Sequence, residues 1–269
     1  MSPTLNDILN LLNEIAPFSH MAGWDNAGLQ VGDLSKEIHR IFFALDPTMD
    51  NLMNASEKNA QLLLTHHPLI FKSLSQINYH AYPGSVIVAA IKNDIAVIAV
   101  HTNLDVAWGG INDMLADLLE LDHPEILDIE DSSENHSVGL GRIGSLKEPT
   151  SLTAFIDLAK RVLGCKVVRV LGNDDLVVKR IAVVGGSGGS LIARASEKGA
   201  DLLVTGDIGH HEALEAESLN LALMDAGHFF TEKAAIRLFA DRFKEKLSAK
   251  GWGVVVEIDH DEKAPMREQ

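Results

Sequence analysis

The 269-residue chain is predicted to be an α/β protein of two domains, each built on a mainly parallel sheet. Three observations predict this fold. Short apolar runs alternate with segments of helical period, a polar acidic stretch interrupts the chain near residues 125–135, and one helix–strand sequence occurs twice.

Thr4–Ile15 (TLNDILNLLNEI) reads as an amphipathic opening helix with Thr4 as its N-cap. Arg40–Leu45, Gln61–Thr65, Ile95–Val100, Arg180–Val184, Asp201–Thr205 and Leu221–Asp225 read as buried strands. They are short, rich in leucine or β-branched residues, and flanked by Gly, Asn or Asp. Between them, Pro47–Asn59, Ser85–Asn93, Gly189–Gly199 and His210–Leu219 have the length and period of helices. Strands alternating with helices imply βαβ units, hence parallel pairing and a sheet covered on both faces. Asp128–His136 (DIEDSSENH) reads as a loop, followed by a strand-like alternation over Val138–Leu146. That loop places the domain boundary, giving an N-terminal domain over 1–127 and a C-terminal domain over 128–269. Ala55–Thr65 (ASEKNAQLLLT) and Ala195–Thr205 (ASEKGADLLVT) share eight of eleven residues at an offset of 140, which also aligns Arg40-Ile41 with Arg180-Ile181. The match predicts two related βαβ units.

Composition narrows the function. The chain has 46% apolar and 23% charged residues, an ordinary globular balance, and no run near the roughly 20 apolar residues of a membrane span. The N-terminus has no basic, apolar leader, so a cytoplasmic protein is expected. A single cysteine, Cys165, excludes an intramolecular disulfide and a cysteine zinc cluster. With 23 Lys+Arg against 38 Asp+Glu, the formal charge of −15 argues against nucleic acid as a partner.

Chemistry concentrates in three histidine blocks, each directly after a predicted strand: His66-His67, His101-x₃-Asp105 and His228-x₃-Glu232. In open α/β sheets, ligands collect beyond the carboxyl ends of the strands. Gly227 precedes a helical run, so the i,i+4 spacing puts His228 and Glu232 on one helix face. Imidazole with carboxylate and no thiolate suits Zn²⁺, Fe²⁺, Mn²⁺ or Ni²⁺. The surplus of ligands over one ion's needs points to two divalent ions per chain, an arrangement that activates water. His20, His39, His80, His123, His136 and His260 read as ordinary core or surface residues. In Thr205–Glu212, His210 and His211 either line the pocket or begin a helix capped by Asp207. Gly185–Ser190 (GGSGGS) lacks both the dinucleotide spacing and a Walker lysine, and reads as a tight strand-to-helix turn, the alternative being an anion site in which its N–H groups cradle a phosphate at the helix N-terminus.

Taken together, AGWDNAGLQVGD (Ala22–Asp33), LLTHHPLIF (Leu63–Phe71), HTNLD (His101–Asp105), GGSGGS, TGDIGHHE and DAGHFFTE (Asp225–Glu232) resemble the Nif-three-like family, whose members carry the name GTP cyclohydrolase I type 2 homologue. The resemblance spans nearly the whole chain, without the extra mid-chain domain of longer members. It implies two α/β domains with a dinuclear metal site in the cleft between them, and a ring-shaped homohexamer. It places the metal ligands on His66, His67, Asp105, His228 and Glu232, with His101 beside them.

The expected activity is metal-dependent hydrolysis of a nucleotide-like or phosphorylated small molecule, GTP ring opening being the named special case. Glu232 and His101 are the candidate catalytic residues. The alternative is a non-enzymatic metal-binding or regulatory assembly.

Overall fold

The structure is a computed structural model that describes residues 2–133 and 136–266. The chain divides into two compact units: residues up to Leu104 together with Ile236–Lys263, and Asp105–Ala235.

The first unit opens with α1 (Leu5–Ile15). The Thr4 hydroxyl accepts the Asp7 N–H at 3.2 Å and the Asp7 carboxylate accepts the Thr4 N–H at 2.8 Å, so two orphan donors are satisfied reciprocally. Leu5, Ile8, Leu11 and Leu12 form its buried stripe. There follow β1 (Gly28–Val31), β2 (Arg40–Ala44), α2 (Met49–Glu57), β3 (Leu62–Thr65), α3 (Gly84–Lys92) and β4 (Ala96–Ala99). Strands β2, β3 and β4 pair in parallel, with Ile41 opposite Leu62 and Leu62 opposite Ala96; β1 closes one edge antiparallel to β4. Alternate residues face opposite layers. Phe42, Leu63 and Val97 pack with Leu52, Ala55, Val86 and Ala90 of α2 and α3, whereas the Phe43 ring lies 6.1 and 5.8 Å from those of Phe239 and Phe243. Cover on both faces explains why these strands read as unbroken apolar runs.

The second unit holds α4 (Thr102–Val106) from Asp105 onward, α5 (Ile111–Leu118), and the long antiparallel pair β5 (Asp122–Ser133) and β6 (His136–Ser151). It continues with α6 (Leu152–Leu163), β7 (Arg169–Leu171), β8 (Val177–Ser187), α7 (Ile192–Glu197), β9 (Leu202–Gly206), α8 (His210–Ser218) and β10 (Ala222–Asp225). The sheet order is β5-β6-β8-β9-β10-β7, with β8, β9 and β10 parallel. Helix α9 (His228–Ala249) begins in this unit, and its later turns from Ile236 count with the first. The last strand, β11 (Val255–Ile258), pairs in parallel with β2. Among the described residues no helix is long and apolar enough to cross a membrane.

One sequence expectation needs correction. Asp128–Ser133 continues β5 instead of forming a loop, and Glu134 and Asn135 lie outside the described residues. An antiparallel pair satisfies its backbone through its own ladder, so its strands need no apolar run. Residues 105–118 are tied to the second sheet: fully buried Arg142 grips Asp113 through Nε at 2.6 Å and Nη2 at 2.8 Å, and Asn112 accepts the Gly185 N–H at 2.9 Å. In turn, β11 returns to the first sheet.

The repeat is structural. At the shared offset, the Gln61 side chain accepts the N–H groups of His39 and Arg40, and the Asp201 side chain accepts those of Lys179 and Arg180. Ile41 faces Leu62 as Ile181 faces Leu202. The succession helix, antiparallel edge strand, then three parallel strands alternating with helices holds from α1 to β4 and from α6 to β10.

Candidate metal centre

In the first unit, β3 and β4 are adjacent parallel strands, so the residues that follow them emerge side by side. His66 and His67 follow β3; His101 follows β4. Their ring centroids are 5.1 to 5.4 Å apart, and one ring nitrogen of each lies within 4.8 Å of the others.

Each ring is held through Nδ1. His66 Nδ1 is 2.7 Å from the Val100 carbonyl oxygen, His67 Nδ1 is 2.7 Å from Asp46, and His101 Nδ1 is 2.7 Å from Asp25. An acceptor on Nδ1 fixes the tautomer that turns the lone pair of Nε2 outward, as in metal-bound histidines. The orienting acids are themselves braced. Asp25 also accepts from the Thr102 N–H and hydroxyl, and Glu262 accepts the N–H groups of Leu45 and Asp46. Burial alone would raise the Asp25 carboxyl. The hydrogen bonds from His101 and Thr102, the His101 charge and the Asn26 N–H outweigh it and bring the group down to about 2.

The second unit carries the other predicted residues. Asp105 is buried on α4. His228 and Glu232 stand one turn apart at the start of α9, with Nε2 and Oε2 3.1 Å apart. His228 is again held through Nδ1, by Asp207 at 2.7 Å. Asp207 is therefore not the cap of α8: Gly209 occupies that position, with its N–H donated to Glu212 at 2.6 Å. His210 and His211 are exposed on the first turn of α8 and join no metal-capable group. Among the described residues neither do His20, His39, His80, His123 and His260; the His136 side chain lies outside them.

The glycine-rich loop makes room for these ligands. A Cβ on Gly186 would stand 2.3 Å from Glu232 Oε1. Its first two N–H groups are already donated, from Gly185 to Asn112 and from Gly186 to Thr231. Gly185–Ser187 end β8 and Gly189–Leu191 form a 3-10 turn before α7, so the segment joins strand to helix.

Sequence reasoning located the histidines and missed the acids that aim them. Asp25 lies in the Ala22–Asp33 motif, Asp46 ends the β2 run and Asp207 lies in the Thr205–Glu212 block, but no spacing links any of them to its histidine.

The donors fit a divalent ion: in the first unit three imidazoles locked in one tautomer, in the second an imidazole and the Glu232 carboxylate, with no thiolate among them, while Asp105 joins no such group among the described residues. Fold and site together define a two-unit α/β protein with histidines poised for metal. The profile of the Duf34/NIF3 (NGG1p interacting factor 3) family matches residues 3–265, and the chain belongs to that family. A Clostridium perfringens protein named GTP cyclohydrolase 1 type 2 homolog is 38% identical over 245 residues, covering 91% of this chain and 93% of its own. A protein of the same name from Clostridium acetobutylicum is 34% identical, covering 93% of each. The crystal structure of a Bacillus cereus protein related to NIF3 superposes with a TM-score of 0.94 at 27% identity over the whole of both chains.

Proposed function

We propose that the chain is a dinuclear metal-dependent hydrolase of a nucleotide-like or phosphorylated small molecule. The ligands are His66 and His67 from the first unit and Asp105, His228 and Glu232 from the second. The single observation that carries the reading is the common anchoring of His66, His67, His101 and His228 through Nδ1. Imidazoles aimed in one tautomer are the organisation a metal site uses, and His101 beside them is aimed in the same way.

Two bound divalent ions would lower the pKa of water and polarise the scissile group. His101, paired with ionised Asp25, accepts a proton at Nε2, and the carboxylate of Glu232 accepts one at Oε1 or Oε2. The donor set suits zinc, iron, manganese or nickel, since nitrogen and oxygen donors serve all of them. The names of the Clostridium relatives support GTP as the first substrate to assay.

The test is a turnover screen of metal-loaded protein against GTP, other nucleotides and simple phosphoesters, with His101→Ala alongside. The expected outcome is hydrolysis of one class, with kcat reduced about 10²–10⁴-fold in the variant at unchanged metal content. Loss of metal from His101→Ala moves that residue into the ligand set. No turnover by fully loaded protein favours the non-enzymatic assembly.

A further inference from the structure

The Ala22–Asp33 motif does more than supply Asp25. The preceding residue, Trp24, is 63% exposed, and Phe71, five residues beyond His66, is 47% exposed. Their rings meet edge to face at 5.8 Å and 61°. Both also contact the imidazole of His101, at 6.0 Å for Trp24 and 6.2 Å for Phe71. Two large aromatic rings thus stand together at the water-facing border of the histidine cluster.

They are held there. The Asn26 amide donates to the Ile70 carbonyl at 2.6 Å, the Ile70 N–H donates to Gln30 Oε1 at 3.0 Å, and the Gln30 amide donates to the Asn26 carbonyl at 2.7 Å. These bonds lace the loop carrying Trp24 to the loop carrying Phe71. The Ala22 N–H donates to the Thr102 hydroxyl, which itself donates to Asp25. The bonds that aim His101 therefore also position the indole. Solvated aromatic surface has no folding benefit, and its fixed placement beside convergent polar groups is the pattern of a ligand site.

We propose that Trp24 and Phe71 are a stacking platform for a flat heteroaromatic ring of the substrate, such as a nucleobase. The proposal rests on the metal-centre reading for the position of the reacting group and narrows the substrate to molecules carrying such a ring. Aromatic stacking suits this task because every base offers a π-face, and one ring needs no more than the two side chains present. A protein partner would need on the order of 800 Å² on each side.

The experiment titrates the full, metal-loaded chain with GMP and with ribose 5-phosphate, which lacks the base, following tryptophan emission and calorimetric heat. Elemental analysis is run on every sample. GMP is expected to bind about fivefold or more tightly than ribose 5-phosphate and to quench emission. In Trp24→Ala and Phe71→Ala, GMP affinity should fall to that of ribose 5-phosphate at unchanged metal content, and Trp24→Phe should retain the preference. Equal binding of the two probes, no binding of either, or wild-type GMP affinity in both alanine variants overturns the platform. Base-dependent binding by protein that takes up no metal keeps the platform and overturns the metal centre alone.

Discussion

An imidazole offers one nitrogen to a cation reliably only when the other is engaged, and the cost of losing that engagement can be measured. Asp46→Asn and Asp207→Asn, which release the ligands His67 and His228, should each lower divalent-ion affinity about 10–100-fold while the far-ultraviolet circular dichroism stays unchanged. Competition with a chromophoric chelator reads the affinity, and wild-type affinity in both variants would show that the carboxylates do not organise the site. Gly186→Ala tests the ligands of the second unit. Its φ of +66° and the 2.3 Å approach of a Cβ to Glu232 Oε1 predict a loss of about 1–3 kcal/mol in urea unfolding, together with weakened metal binding. The histidines were legible because each follows a strand of obvious apolar character. Their acids were not, because Asp46 and Asp207 stand 21 residues, and Asp25 stands 76 residues, from the rings they hold. Only the pairing of strands brings such residues together.

At the scale of elements, the repeat makes a symmetric claim. Gln61 and Asp201 each accept two backbone N–H groups of the neighbouring strand. Gln61→Ala and Asp201→Ala should therefore each cost about 1–3 kcal/mol for the two bonds. A large effect at one position and none at the other would contradict their equivalence. The central parallel strands of both sheets were readable, since burial on both faces leaves a continuous apolar run. The edge strands β1 and β7 were not, being four and three residues long and neither of them fully buried. The acidic composition of Asp128–Ser133 concealed a strand whose hydrogen bonds go to its antiparallel partner. Polar content distinguishes loop from strand only where the strand has a face to bury.

For the whole molecule, sequence order and spatial order part company. The first unit takes back α9 from Ile236 and adds β11 to its sheet, so the chain passes from one unit to the other and returns. No periodicity announces such a return. The homohexamer implied by family resemblance is a prediction at this scale. Light scattering at micromolar concentration should give six times the 29.2 kDa chain mass, and a monomer would reject it. A chain of formal charge −15 must offset self-repulsion with apolar contacts to assemble, so the hexamer should tighten as salt is added.

The most direct test is metal stoichiometry. Metal-replete wild-type protein should hold two divalent ions per chain by elemental analysis, and His66→Ala combined with Glu232→Ala should hold none while remaining folded by circular dichroism. One proposed ligand is removed from each unit, so the result bears on the proposal that both units serve one site. A double variant that keeps the full metal content, or a wild-type protein that binds no divalent ion, would contradict the shared centre.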